Sequence, residues 1–311
     1  MICCKALLPR AGLGNRLFPW ARCRVYSLKH AVPMLPVRWF QMKVGPMLRG
    51  ESDRRLYHGL FRKDRERIPR WEHLAISLFG HRVSEPEDLD WTPPMDDRRR
   101  CVVVFEGERD HFQRLRGWHQ VLHEQLTAMT RDKWLVGNLH LGTTYPIGIH
   151  VRCGDFLRPK SAAELYTSGG VRTPLEWFVE SLRWIREQVG EAVGAFVVSD
   201  GKPAELEPLL AEPNVIRLNS GSAVGDLLSL AKASVLIASG GSSFSGWACF
   251  LGQMPTVSHP GQSLQWFKLG NEKGVYVGEF DPRGAPPADL GEQVQTVLRK
   301  RSEAEVRNCR Q

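Results

Sequence analysis

At 311 residues, with 42% hydrophobic and 24% charged side chains, the chain has the composition of a soluble globular protein and exceeds what one core usually organises, so two domains are expected. No window holds the roughly 18 uninterrupted apolar residues of a membrane span, which argues against a transmembrane helix. The formal charge of +8 makes an anionic partner worth testing, but no aromatic interleaving or nucleic-acid motif accompanies the basic runs Arg49–Arg70 and Arg98–Arg100.

These runs read as a solvated helix face and call for no specific nucleic acid; peripheral contact with a membrane surface stays open. The start, Met1-Ile2-Cys3-Cys4-Lys5-Ala6-Leu7-Leu8, has too short an apolar stretch for a signal peptide, so a cytoplasmic location is expected. Seven cysteines with no Cys-x-x-Cys pair fit reduced, buried thiols rather than a disulfide framework or a zinc site.

In chain order, Ile2–Leu8 reads as a buried strand, followed by a glycine loop and a helix over Asn15–Lys29. Residues 31–100 alternate basic stretches with proline-rich loops, notably Ser84–Pro94. Then follow a strand at Val102–Phe105, a helix over Asp110–Thr130 and a strand at Ile147–Arg152. Helices at Pro174–Val189, Pro203–Ala211, Val224–Ala233 and Ser243–Leu251 alternate with strands at Ala195–Ser199, Val215–Arg217 and Val235–Ala238. Continuous apolar strands alternating with helices predict an α/β fold with parallel sheets covered on both faces. The domain boundary is expected near Leu139–Tyr145, giving an N-terminal domain, residues 1–143, and a C-terminal domain, residues 144–311.

Three segments carry chemistry. The loop Gly12-Leu13-Gly14-Asn15 joins strand to helix, where glycines let backbone amides approach a ligand; Leu17 stands where a dinucleotide fingerprint needs its third glycine. A plain tight turn with Asn15 as helix cap is the competing explanation. In His150-Val151-Arg152-Cys153-Gly154-Asp155, His150 and Arg152 share one strand face at a carboxyl end, where open α/β sheets bind ligands. A guanidinium there suits a diphosphate, and an Arg152–Asp155 ion pair closing the loop is the competing explanation. Last, an apolar strand opens at Ser239-Gly240-Gly241-Ser242-Ser243-Phe244 into a helix, which supplies amide and hydroxyl donors to a phosphate without adding charge.

Taken together and in order, Gly12 to Asn15, His150 to Asp155, Ser199-Asp200, and Asp226 through Ser242-Ser243-Phe244-Ser245-Gly246-Trp247 resemble the α-1,2-fucosyltransferase family and, more widely, the α-1,6- and protein O-fucosyltransferases. The resemblance implies a GT-B fold of two Rossmann-like domains facing a cleft, an inverting transfer of fucose from GDP-fucose to a glycan or other hydroxyl acceptor, and no obligatory metal or further cofactor. It implies that Arg152 binds the diphosphate; His150 and Asp155 fall on the same motif and are the candidate catalytic groups to take the acceptor proton. Gly12, Gly14, Asn15, Asp200, Asp226, Ser242, Ser243 and Phe244 would lie on the donor side. Cys153 departs from a second arginine usual in that family, and Gly246-Trp247 from a pair of tryptophans.

Two other signals are weaker. Asp88-Leu89-Asp90 forms a D-x-D, yet in a proline-rich loop instead of at a strand end; His119 and His123 share a helix face without a third metal ligand and read as solvated. A non-catalytic polyanion binder and a nucleotide-dependent oxidoreductase remain as alternatives from other classes.

Overall fold

A strand of six residues, β1 (Ile2–Leu7), turns at Gly12 into helix α1 (Leu13–Lys29), and the pair sets the pattern of the chain. In the computed structural model, residues 2–41, 57–62, 75–76, 79–92, 101–135, 144–167, 170–270 and 272–308 are described, the last eight for their helical backbone alone. β2 (His81–Ser84) and β3 (Cys101–Glu106) complete a parallel sheet with the order β1-β3-β2. Helix α2 (His119–Met129) follows it.

The C-terminal half alternates regularly: β4 (Ile147–Val151), α3 (Leu175–Val189), β5 (Ala195–Ser199), β6 (Val215–Arg217), α4 (Ala223–Leu230), β7 (Val235–Ala238), α5 (Ser243–Gly252), β8 (Thr256–Ser258), β9 (Val277–Glu279) and α6 (Leu290–Asn308). Its six strands pair in parallel in the order β6-β5-β4-β7-β8-β9. Counted from β4 this is 3-2-1-4-5-6, so the chain leaves β4 to one side and β7 to the other, and a crevice opens between their carboxyl ends.

The period of two along β4 assigns its faces. Ile147, Ile149 and Val151 join Phe178, Leu182, Ile185, Leu290 and Val294 in one buried cluster beneath α3 and α6. Gly148, His150 and Arg152 turn to the opposite face, where a second cluster runs without a break from Phe196, Leu227, Trp247 and Phe250 into Leu17, Phe18, Phe112 and Leu122 of the N-terminal half. α5 makes this continuity possible. It is apolar on nearly every side and packs against both α1 and α2. Phe112 stacks on Phe250 with ring centroids 4.7 Å apart and meets the edge of Trp247 at 4.9 Å.

Several expectations change. The helix expected over Asp110–Thr130 is a 3-10 turn at Gln113–Leu115 and then α2, because Gly117 at φ +79° breaks the run. Pro203–Ala211 splits into a 3-10 turn and the four-residue helix Glu207–Leu210, since Pro208 clashes with a continuing preceding turn. Asn15 is not a cap: the N-cap is Gly12, and Asn15 lies inside the first turn of α1. β2, β8, β9 and α6 were not anticipated. The 143/144 boundary and the basic runs at 49–70 and 98–100 fall wholly or largely outside the described residues.

Candidate functional site

The carboxyl end of β4 delivers Arg152 into the crevice. Ser239, at the end of β7, receives the Arg152 backbone N–H at 2.8 Å and donates its hydroxyl to the His150 carbonyl at 2.9 Å, locking the two diverging strand ends together. The Arg152 guanidinium donates to Asp200, at the end of β5, and to Asp155. Asp200 also accepts the Cys153 amide at 2.8 Å and the Gly154 amide at 3.1 Å, so one carboxylate fixes both the loop and the arginine. The ion pair to Asp155 is therefore real, but it uses one edge of a group with five N–H donors and leaves capacity for a phosphate.

His150 is 4% exposed, lies 4.9 Å from the Phe244 ring and shares a 2.6 Å hydrogen bond with the Ser245 hydroxyl. Burial holds its pKa down at about 3; the Asp200 charge opposes this and the Arg152 charge adds to it. The imidazole is thus neutral near neutral pH and only a weak proton acceptor.

The opposite wall comes from α5 and the glycine loop. Ser242 caps α5 with no side-chain hydrogen bond, so the first-turn amides of the helix point into the crevice at its positive end. The Ser243 hydroxyl donates to the Asn15 side-chain oxygen, and the Trp247 indole N–H donates to the Gly14 carbonyl at 2.7 Å. A Cβ on Gly14 would stand 2.6 Å from the Ser243 hydroxyl and 2.8 and 2.9 Å from the Ser243 and Phe244 backbone. Only glycine permits this approach.

Every residue expected at the site, Gly12, Gly14, Asn15, His150, Arg152, Asp155, Asp200, Asp226, Ser242, Ser243 and Phe244, lines one cavity of about 420 Å³. That volume suits a small ligand. Asp226 accepts the Ser220 amide at 2.9 Å in the first turn of α4, which Ser222 caps by accepting the Gly225 amide at 3.0 Å. The sequence reading missed Tyr57, Phe156, Arg217, Asn219 and Ser222, which share the lining. Arg217 carried a usable signal, since it ends an apolar strand as Arg152 does; it donates to the Gly201 carbonyl at 2.7 Å.

Asp88 and Asp90 do not line this cavity; Asp90 is ion-paired with Lys29. His119 and His123 are not on a solvated face. His119 pairs with Glu272 and its ring meets Phe250 edge-on, while His123 bonds the Leu251 backbone, so both belong to the contact between the two halves.

Neither a family model nor a curated protein sequence matches the chain. Solved structures to which it is similar are fucosyltransferases. NodZ from Bradyrhizobium shares 14% identity over 83% of this chain and 95% of its own, with a TM-score of 0.46. POFUT1 in complex with GDP-fucose shares 11% over 83% of this chain and 97% of its own, at 0.48. A variant of Arabidopsis thaliana FUT1 in complex with GDP shares 12% over 82% of this chain and 70% of its own, at 0.42.

Proposed function

We propose that the cavity binds a nucleotide sugar, GDP-fucose, and that the protein transfers fucose with inversion to a hydroxyl of a glycan or other acceptor without a metal ion. The observation that carries this reading is the convergence of three anion-seeking elements on one cavity: Arg152, the uncapped start of α5 at Ser242–Phe244, and the Gly12–Asn15 loop. The choice of guanosine and fucose is supported by the ordered motifs of the sequence. On this reading residues 1–143 present the acceptor, residues 144–311 hold the donor, and the protein works in the cytoplasm.

The chemistry follows from where charge grows. As the bond from the anomeric carbon to the phosphate oxygen lengthens, the sugar becomes oxocarbenium-like and negative charge gathers on the departing diphosphate. Arg152 meets that charge with a planar pair of donors, and the α5 amides and the Ser242 hydroxyl add neutral ones. Asp200 contributes by orientation: with its other oxygen tied to two loop amides, it keeps the guanidinium from following solvent.

The test is release of GDP from GDP-fucose by the purified protein, with and without EDTA. Turnover that survives chelation is expected. Loss on chelation restored by manganese would overturn the metal-free reading and give Asp88 and Asp90 a role. Turnover of a UDP-sugar with none of GDP-fucose would overturn the donor.

A further inference from the structure

A second and larger cavity, of about 630 Å³, opens on the N-terminal half between α1, α2 and the segments 34–40 and 57–62. Much of its lining is aromatic. The Trp39 ring lies 4.4 Å from Phe61 and 6.3 Å from Trp20, and Phe40 meets the edge of His58 at 6.2 Å. Phe40 is 53% exposed, so this ring is presented to solvent instead of being spent on the core. The polar part of the lining is rich in donors. Arg24 of α1 donates through Nε to the side-chain oxygen of Gln125 on α2 at 3.0 Å, which leaves the Gln125 amide nitrogen and the rest of the guanidinium for a ligand.

The two cavities meet at Tyr57, which lines both. Its backbone is left-handed, at φ +52°, a conformation that a bulky side chain rarely adopts and that surrounding structure must hold in place. Arg16, the residue after Asn15, supports it. This guanidinium is buried, lies 5.4 Å from the centre of the Tyr57 ring and donates to the Trp39 carbonyl. Gln41 makes a second tie, donating to the Ala11 carbonyl at 3.0 Å. The aromatic wall is thus fastened to the loop that carries Gly12 to Asn15, and an occupant of one cavity abuts an occupant of the other.

Resting on the transfer reading above, we propose that this groove is the acceptor site and that its occupant is an oligosaccharide, which reaches the first cavity past Tyr57. A sugar ring has an apolar C–H face and a rim of hydroxyls. The groove offers both complements: rings for the C–H faces, and the Arg24 and Gln125 donors for the hydroxyls. The rings fall into two groups, Trp20 with Trp39 and Phe61, and Phe40 with His58, which gives a platform to more than one sugar. An extended peptide acceptor fits less well. It gains affinity by adding to a free sheet edge, and the elements that face this groove are helices and loops.

The experiment screens the purified protein on an array of neutral oligosaccharides and an array of unstructured peptides. For wild type, Phe40→Ala and Arg24→Gln it then measures melting temperature, GDP affinity, affinity for the best-bound oligosaccharide, and GDP release from GDP-fucose with and without that oligosaccharide. Oligosaccharide binding is expected, weakened about tenfold in each variant by the loss of one stacking or guanidinium contact. Melting temperature, GDP affinity and GDP release to water should stay at wild-type values, and the oligosaccharide should speed GDP release with a KM raised in both variants. Binding of peptides and of no oligosaccharide, binding of neither, or oligosaccharide affinity unchanged in both variants overturns the assignment; GDP binding and GDP release to water then leave the transfer reading standing. Oligosaccharide binding by a protein that neither binds GDP nor releases it from GDP-fucose overturns the transfer reading and the acceptor role, and leaves a carbohydrate-binding groove.

Discussion

The loops that leave the first strand of each sheet reach the same cavity by different means. After β4, the loop carries Arg152 and Asp155 and is held by charge: Asp200 binds Arg152 and two loop amides, and farther along Arg172 pairs with Glu205 at 2.7 Å while bonding the Phe156 carbonyl at 2.9 Å. After β1, Gly12–Asn15 has no formal charge and is held by neutral hydrogen bonds, with the Trp247 indole on the Gly14 carbonyl and Ser243 on Asn15. In the proposed function, one loop supplies the charge that a departing diphosphate needs. The other supplies the close backbone approach that brings the second wall up to it, and four predictions break or sharpen that division.

The largest effect belongs to the charged loop. Arg152→Ala should lower turnover by about a hundredfold or more, the usual effect of losing a preorganised donor to developing charge, with melting temperature little changed. Arg152→Lys should also be impaired, because an ammonium keeps the charge and loses the fork. If the ion pairs to Asp155 and Asp200 were the whole role of Arg152, the melting temperature would fall and the folded fraction would remain active. Kinetics and thermal denaturation on both variants separate the two.

Next is the neutral loop. Gly14→Ala places a methyl against the start of α5, where backbone as well as the Ser243 hydroxyl must give way, so a destabilisation of about 1–3 kcal/mol and weaker GDP binding are expected. Gly12→Ala is the control, since nothing lies within 4 Å of its Cβ position; its melting temperature should match wild type. Equal behaviour of the two alanines would refute the close-approach argument.

A smaller loss is expected from Trp247→Phe. The ring still fills the contact with Phe18 and Phe112, but the Gly14 carbonyl loses its indole donor, for about 0.5–1.5 kcal/mol by denaturant titration. No loss would mean that packing alone holds the loop.

The smallest effect is a pH dependence confined to the charged loop. The Lys202 backbone amide first, and then Arg172, hold the Glu205 carboxyl down at about 2 from the ordinary 4.5. A carboxylate with a depressed folded-state pKa contributes stability above its unfolded pKa and loses it as pH falls, here from about 4.5 toward 2. The melting-temperature gap between wild type and Glu205→Gln should close across that window, while the gap between wild type and Trp247→Phe should not change with it. A Glu205 gap independent of pH would contradict the charge account of this loop.

The same contrast explains what could be read from the sequence. The C-terminal sheet was legible because β4, β5 and β7 are continuous apolar runs buried on both faces, and strands Ala195–Ser199, Val215–Arg217 and Val235–Ala238 fall where the pattern puts them. The short strands β8 and β9 carry too few residues to show a period, and β2, His-Arg-Val-Ser, has no apolar run. At the site, glycine, serine and arginine at strand ends marked the Gly12, Arg152 and Ser242 segments, and the family resemblance added Asp200 and Asp226. What local pattern could not show was contact across the chain: that Asp200 orients Arg152, or that Trp247 holds Gly14. His119 and His123 were misread for the same reason, since a helix face is solvated or buried according to what packs on it.

The central claim is that both loops together make a nucleoside diphosphate site, and calorimetric titration of GDP, UDP and NAD into the wild-type protein tests it most directly. The account predicts a single GDP site, weakened in both Arg152→Ala and Gly14→Ala, and no comparable heat from UDP or NAD. Binding of UDP or NAD with no response to GDP, or GDP affinity unchanged in both variants, would contradict it.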